Sequence, residues 1–232
     1  MQNPVCYIHG LFGSNLDFID FLDDLSVAIN LEDFDCDNLD FDSMTSLIIK
    51  HLLNIHNRPW NLVGYSMGGR IALFMKFKFP NAIHQVVVIG SALSYPIHTI
   101  LDRIRFQLRW ELLLASKPLN EFYSIWYSQA LFSDFNFQAH LDKKLKIQKS
   151  FHQKCLNRLS ILNQPPLETL LLDDRHLLKF LYGEFDGAYK NHYKNIQKMG
   201  YQVLEVPKAS HVAFLDNPHF VKQHIRQFLL CN

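Results

Sequence analysis

Trp60-Asn61-Leu62-Val63-Gly64-Tyr65-Ser66-Met67-Gly68-Gly69-Arg70-Ile71-Ala72-Leu73 decides the reading of this chain. The apolar run 60–63 has the length and composition of a buried strand, and Gly64 stops it. From Ile71 the pattern turns helical until Pro80, so a helix is expected over 71–79. Between strand and helix stands G-x-S-x-G. In that context the glycines permit a sharp turn that lifts the Ser66 hydroxyl above the end of the strand. The first amides of the helix then face any negative charge that develops there.

Outward from this turn, further short apolar runs lie at 5–8, 85–89, 179–182 and 201–206. The stretches 16–29 and 44–55 carry helical spacing, and 220–230 closes the chain as a helix. The Asp- and Phe-rich stretch 31–43 has no clear period and reads as a strand remnant plus a loop. From 93 to 172 the period is helical with no strand run, which predicts a helical cap inserted between strands. Strands alternating with helices predict an α/β architecture, a mostly parallel sheet with helices on both faces. A single domain over 1–232 is expected, with the insertion at 93–172 inside it.

Composition excludes several classes. Of 232 residues, 48% are apolar and 19% charged, and the formal net charge is +1. No basic block suggests a nucleic-acid partner. No apolar run of membrane-spanning length occurs, and the N-terminus has no leader pattern, so a soluble, cytoplasmic protein is expected. Cys6, Cys36, Cys155 and Cys231 are scattered and read as reduced thiols. The acidic run 33–42 lacks a calcium-loop pattern and reads as a solvated loop. No metal or nucleotide cofactor is implied.

A serine needs a base to take its proton. Among twelve histidines, His211 lies in the loop after the run 201–206, at the carboxyl end of a strand. Asp186 follows the run 179–182 in Gly-Glu-Phe-Asp-Gly, where a carboxylate can orient an imidazole; Glu184 is its local competitor. The order Ser66, Asp186, His211 is the order expected around such an elbow. The loop His9-Gly10-Leu11-Phe12-Gly13 follows the first strand. By position, its Leu11 amide and the Met67 amide are the expected oxyanion donors.

Residues 64–73 resemble the elbow of 2-succinyl-6-hydroxy-2,4-cyclohexadiene-1-carboxylate synthases, menaquinone-pathway members of the α/β-hydrolase superfamily. Tyr65 and Arg70 are the discriminating residues. The similarity continues at Arg103, through Lys117-Pro118-Leu119 into Trp126-Tyr127-Ser128-Gln129-Ala130-Leu131-Phe132, at Gly183-Glu184-Phe185-Asp186 and at Ser210-His211. The resemblance implies an α/β-hydrolase fold and a lyase. The triad serine acts as a base on a small substrate bearing several carboxylates, and pyruvate is eliminated. It further implies substrate contacts from Tyr65, Arg70, Arg103 and Trp126; Arg105 and Arg109 stand near enough to Arg103 to compete for its place. Lys149 aligns with a further cap arginine, keeping the charge without the planar fork. Two more departures mark this chain. The strands that commonly precede the first one are absent, so a shortened sheet is expected. Residues 35–43 stand where the family has Asp-x-Pro-Gly-x-Gly. The competing expectation is a serine esterase or thioesterase, similar to pimeloyl-acyl-carrier methyl ester esterases, with Ser66 as nucleophile and an acyl-carrier protein as partner. A ligand-binding module that kept the fold is the third.

Overall fold

The computed structural model describes residues 2–93, 99–132, 135–164, 167 and 173–230. Six strands form one parallel sheet: β1 (Val5–Ile8), β2 (Ser26–Ile29), β3 (Trp60–Tyr65), β4 (Ile83–Ile89), β5 (Leu178–Gly183) and β6 (Gln202–Val206). Their spatial order is β2-β1-β3-β4-β5-β6. The chain thus steps from β1 to one edge, returns across it to β3 and then proceeds to the other edge. The order reverses between β1 and β3, and loops at the carboxyl ends of such a pair splay apart to leave a crevice. Ile8 stands opposite Gly64 in register, so the loop after β1 and the elbow after β3 begin side by side.

Successive side chains on a strand point to opposite faces. Cys6, Ile8, Leu62, Val86, Val88 and Phe180 enter one apolar cluster, while Val5, Tyr7, Val63, Val87, Ile89 and Leu181 enter the other. Because both faces are covered, the strands read as continuous apolar runs. The first face is packed by α1 (Phe41–Ile55), α2 (Met67–Lys78) and α7 (Gly187–Lys198). The second takes Phe18 and Phe21 from a 3₁₀ turn at Asn15–Phe21, and Val221, Ile225 and Phe228 from α9 (Pro218–Leu230).

Between β4 and β5 the described residues hold helices and no strand: α3 (Ile100–Ser116), α4 (Leu119–Tyr127), α5 (Leu141–Lys144) and α6 (Lys149–Arg158). The rest of the stretch 93–172, namely 94–98, 133–134, 165–166 and 168–172, lies outside the described residues, as does Cys231. A short helix, α8 (Ala213–Asp216), follows the loop after β6. No helix among the described residues is long and apolar enough to cross a membrane.

Two expectations are corrected. Residues 16–29 do not form a helix: Asn15–Phe21 is a 3₁₀ turn and Ser26–Ile29 is the edge strand β2. Four residues at an edge, three of them half-buried, carry no local period. What makes them a strand is parallel pairing with β1, Val5 to Ser26 through Ile8 to Ile29. The stretch 31–43 contains no strand. It holds a 3₁₀ turn at Leu31–Phe34 and the start of α1, where Asp40 accepts a hydrogen bond from Ser43 N at 2.7 Å. That cap satisfies an otherwise open amide and starts the helix at Phe41 rather than at Met44.

Candidate active site

The elbow is as sharp as its sequence demands. Ser66 has φ 51° and ψ −114°. A non-glycine residue in that region costs about 1–3 kcal/mol and persists only where its surroundings hold it. The holding contacts are the Ser66 N–H on the Ile89 carbonyl at 2.8 Å and the close packing behind it. A Cβ on Gly68 would collide with the carbonyl oxygens of Ile8 and His9, so only glycine lets α2 start this near β1. The loop after β1 lies directly against the serine: a Cβ on Gly10 would stand 3.2 Å from Ser66 Cβ.

That loop is tied down at both ends. His9 is buried and bridges two segments: its Nε2 accepts from Leu31 N at 3.0 Å, so its Nδ1 carries the proton and donates to the Gly10 carbonyl at 2.8 Å. Burial lowers the His9 pKa and keeps the ring neutral. Gly13 N closes a turn onto Gly10 O at 3.1 Å. Leu11 sits inside this turn, and Met67 opens α2 immediately after Ser66. Neither amide has an acceptor among the described residues.

His211 and Asp186 meet beyond the ends of β5 and β6. Glu184 N donates to Val206 O and Phe185 N to Ala209 O, both at 2.9 Å, which laces the two loops together. Asp186, fully buried, places Oδ2 2.7 Å from His211 Nδ1. A carboxylate there holds the proton on Nδ1 and leaves Nε2 as an acceptor. Glu184 does not compete: it is exposed, and its carboxylate accepts from Lys208 N at 2.9 Å. The histidine loop is fixed by Asp216, whose Oδ2 accepts from Ser210 N at 2.8 Å and from Ser210 Oγ at 2.6 Å. Rings of Tyr65, Tyr189 and Phe132 surround the imidazole at 5.5, 5.0 and 5.9 Å. The His211 amide donates to Leu131 O of the inserted segment at 3.3 Å.

Arg70 lies one helical turn beyond Ser66, its N–H on the Ser66 carbonyl at 3.2 Å. Its guanidinium is buried, stands 5.4 Å from the centroid of Phe41 and donates to Gln164 Oε1 at 3.4 Å. Gln164 in turn donates to Leu93 O. Burial, then the like charge of Arg103, pushes the Arg70 pKa down to about 9. It stays charged at neutral pH, and the charge of half-buried Arg103 on α3 acts on it across the gap between α2 and α3. Of the three neighbouring arginines it is Arg103 whose charge acts on Arg70; Arg105 pairs with Asp102 at 3.3 Å on the exposed side, and Arg109 is exposed over Trp110.

One expected substrate contact falls elsewhere. Lys149 does not join the arginines. Its ammonium donates to Ala115 O at 3.0 Å and Lys117 O at 2.8 Å, closing the C-terminal end of α3, where open carbonyls attract a cation. Trp126 is nearly buried in an aromatic cluster, with ring centroids 4.7 Å from Phe12 and 4.6 Å from Trp110.

A model of the alpha/beta hydrolase family matches residues 8–223. The chain belongs to the alpha/beta hydrolase family. Among its relatives in that family is the 2-succinyl-6-hydroxy-2,4-cyclohexadiene-1-carboxylate synthase of Enterobacter sp. (strain 638), 26% identical over 197 residues that span 82% of this chain and 74% of that protein. MenH from S. aureus superposes with a TM-score of 0.85 at 18% identity, over 98% of this chain and 93% of that one. A carboxylesterase structure from Nitrososphaera gargenis superposes with 0.77 at 12% identity, over 99% and 90%. Both superpositions show the common alpha/beta hydrolase fold.

Two residues of this alpha/beta hydrolase site carry no local signal in the sequence: Gln164 reaches it from the insertion and Tyr189 from α7. Asp17, by contrast, carries one. It lies three residues after Ser14, the spacing of a capped helical turn, and its Oδ2 accepts from Ser14 N at 3.1 Å.

Proposed function

We propose that this protein is a pyruvate-eliminating lyase of the type found in menaquinone biosynthesis, a 2-succinyl-6-hydroxy-2,4-cyclohexadiene-1-carboxylate synthase. The reading is carried by one observation, the buried Arg70 guanidinium beside the serine elbow, with the charge of half-buried Arg103 acting on it. A buried guanidinium close to a second like charge is stabilised by an anionic ligand. A forked donor suits a carboxylate in particular. An ordinary ester gives such a pair nothing to bind, whereas a substrate with several carboxylates does. The names of the relatives point the same way.

In this mechanism Asp186 fixes His211 with Nε2 free, and His211 takes the Ser66 proton as Ser66 removes a proton from the substrate. The electron pair left on carbon moves onto the adjacent carbonyl, whose oxygen is held by the amides of Leu11 and Met67. Each such donor contributes about 2.7–4 kcal/mol to the transition state. Collapse of that enolate breaks a carbon–oxygen bond, and the three-carbon group leaves as pyruvate while His211 returns the proton. The helices between β4 and β5 act as a cap over the strand ends, with Tyr65 and Trp126 shaping the wall. The free thiols Cys6, Cys36 and Cys155 suit a reducing cytoplasm.

The test is direct. Purified protein is incubated with the pathway intermediate and pyruvate is followed. Pyruvate release that is lost in Ser66→Ala supports the reading; no release above that control removes it. A second reading, a serine esterase or thioesterase, draws on Lys149, which caps a helix and leaves one cation fewer for carboxylates. There Ser66 is a nucleophile, and a burst with a p-nitrophenyl ester reports the acyl-enzyme.

A further inference from the structure

A second set of charged groups lies buried between the insertion and the loop after β1. Lys144, the last residue of α5, has a side chain only 4% exposed, and so has Asp17. The Lys144 ammonium stands 3.6 Å from Asp17 Oδ2, donates to the Phe12 carbonyl at 3.4 Å and lies 5.3 Å from the Tyr127 ring centroid. Burial alone would lower its pKa, but Tyr127 and Asp17 together hold it above the ordinary lysine value, so it is charged. Its own carbonyl accepts from Tyr123 Oη at 3.1 Å, and Tyr123 Oη is 2.7 Å from His152 Nε2. The lysine is thereby fixed from its backbone to its tip.

The target of this lysine is the turn that contains Leu11. Phe12 has φ 61°, a strained setting for an aromatic residue. Its ring packs edge-on against Phe122 at 4.9 Å, Trp126 at 4.7 Å and His152 at 5.2 Å, all from the insertion. Asp17 Oδ2 also accepts from Ser14 N, which fixes the exit of the same turn. The turn 10–13 therefore has its carbonyl, its ring and its exit held, and the ring and carbonyl contacts come from inserted helices.

We propose that Lys144 is a positioning residue: through Asp17 and the Phe12 carbonyl it sets the turn that presents the Leu11 amide, so the oxyanion site is complete only when the inserted helices are seated. The inference rests on the reading of Ser66 as an activated serine with Leu11 as one of its oxyanion donors. A buried ion pair by itself is weak evidence of stability, since replacing both charges by neutral groups is often tolerated. What singles this pair out is where it is spent. It joins the cap to the loop after β1, which lies against Ser66.

The test uses a fluorophosphonate, whose attack by Ser66 requires both the triad and the oxyanion donors whatever the natural substrate is. Lys144→Met strands Asp17 as a buried lone charge and threatens the fold. The informative protein is therefore Lys144→Met combined with Asp17→Asn, in which both charges are gone. The expected result is a second-order labelling rate of Ser66 at least tenfold below wild type, with a cooperative melt retained. With a turned-over substrate, kcat is expected to fall while KM stays within about twofold, because an oxyanion donor acts in the transition state. A purely structural role would lower the melting temperature and leave the rate per folded molecule unchanged. A folded double variant that labels at the wild-type rate overturns the inference alone. A wild-type protein that neither labels nor turns over brings down the activated serine, and this inference with it.

Discussion

Among single residues, Asp186 has the most confined task. Its Oδ2 meets His211 Nδ1 at 2.7 Å, and among the described residues its Oδ1 has no partner. Asp186→Asn keeps the shape but offers an amide in place of a full negative charge. With its NH₂ toward the ring, it forces the proton from Nδ1 to Nε2, and the imidazole can no longer accept the serine proton that the proposed mechanism gives it. The expected loss in kcat is on the order of 10⁴-fold with the melting temperature nearly unchanged. A loss below tenfold, measured on a folded protein, would take Asp186 out of the machinery. Arg70 is examined by a smaller change. Arg70→Lys keeps the charge and removes the fork, so KM for a carboxylate-bearing substrate is expected to rise about tenfold or more. Turnover of a neutral p-nitrophenyl ester should stay within about twofold. Equal losses on both substrates would mean that the substitution has damaged the elbow rather than the anion site.

Elements differ in how much of them the sequence shows, and the difference has a physical cause. β1, β3, β4 and β5 are buried on both faces and read as mostly apolar runs that end where the chain must turn, and the edge strand β6 still shows apolar Val203, Leu204 and Val206. Ser66, Asp186 and His211 follow three of those ends and are legible for that reason. β2 is an edge strand of four residues whose pairing partner lies about twenty residues away, and nothing within 26–29 announces it. The insertion is legible as helical, but which of its side chains reach inward is not. Arg103 and Arg105 are two residues apart on one helix, and only the neighbouring α2 decides between them. Lys149 shows the same limit. Its alignment with a family arginine suggests a substrate contact, while its ammonium closes α3. Lys149→Met should therefore leave KM unchanged and cost about 0.3–1 kcal/mol of stability, read from urea unfolding. A tenfold rise in KM would return Lys149 to the site.

For the molecule as a whole, the buried histidines make stability depend on pH in a definite direction. His152 is buried against the Phe12 ring and Tyr123 Oη, and burial, with His9 and Lys144 adding to it, pushes its pKa down to about 3. In the unfolded chain a histidine titrates near 6.5. Between those two values the unfolded chain takes up a proton that the folded protein refuses, so acid favours unfolding. The stabilisation is present above about pH 6.5 and drains away as the pH falls toward 3. From pH 7 to pH 5 this one group accounts for about 2 kcal/mol of lost stability. His9 is lowered by burial as well and acts in the same direction. His152→Gln retains a polar group within reach of Tyr123 and removes the titration. Urea unfolding at pH 7 and pH 5 should show a gap between the two pH values that is smaller in this variant than in wild type by about that 2 kcal/mol. An unchanged gap would mean that His152 takes up its proton over the same pH range in the folded and the unfolded protein. A charged imidazolium 5.2 Å from Phe12, beside the Lys144 ammonium, would then be part of how the cap meets the elbow loop.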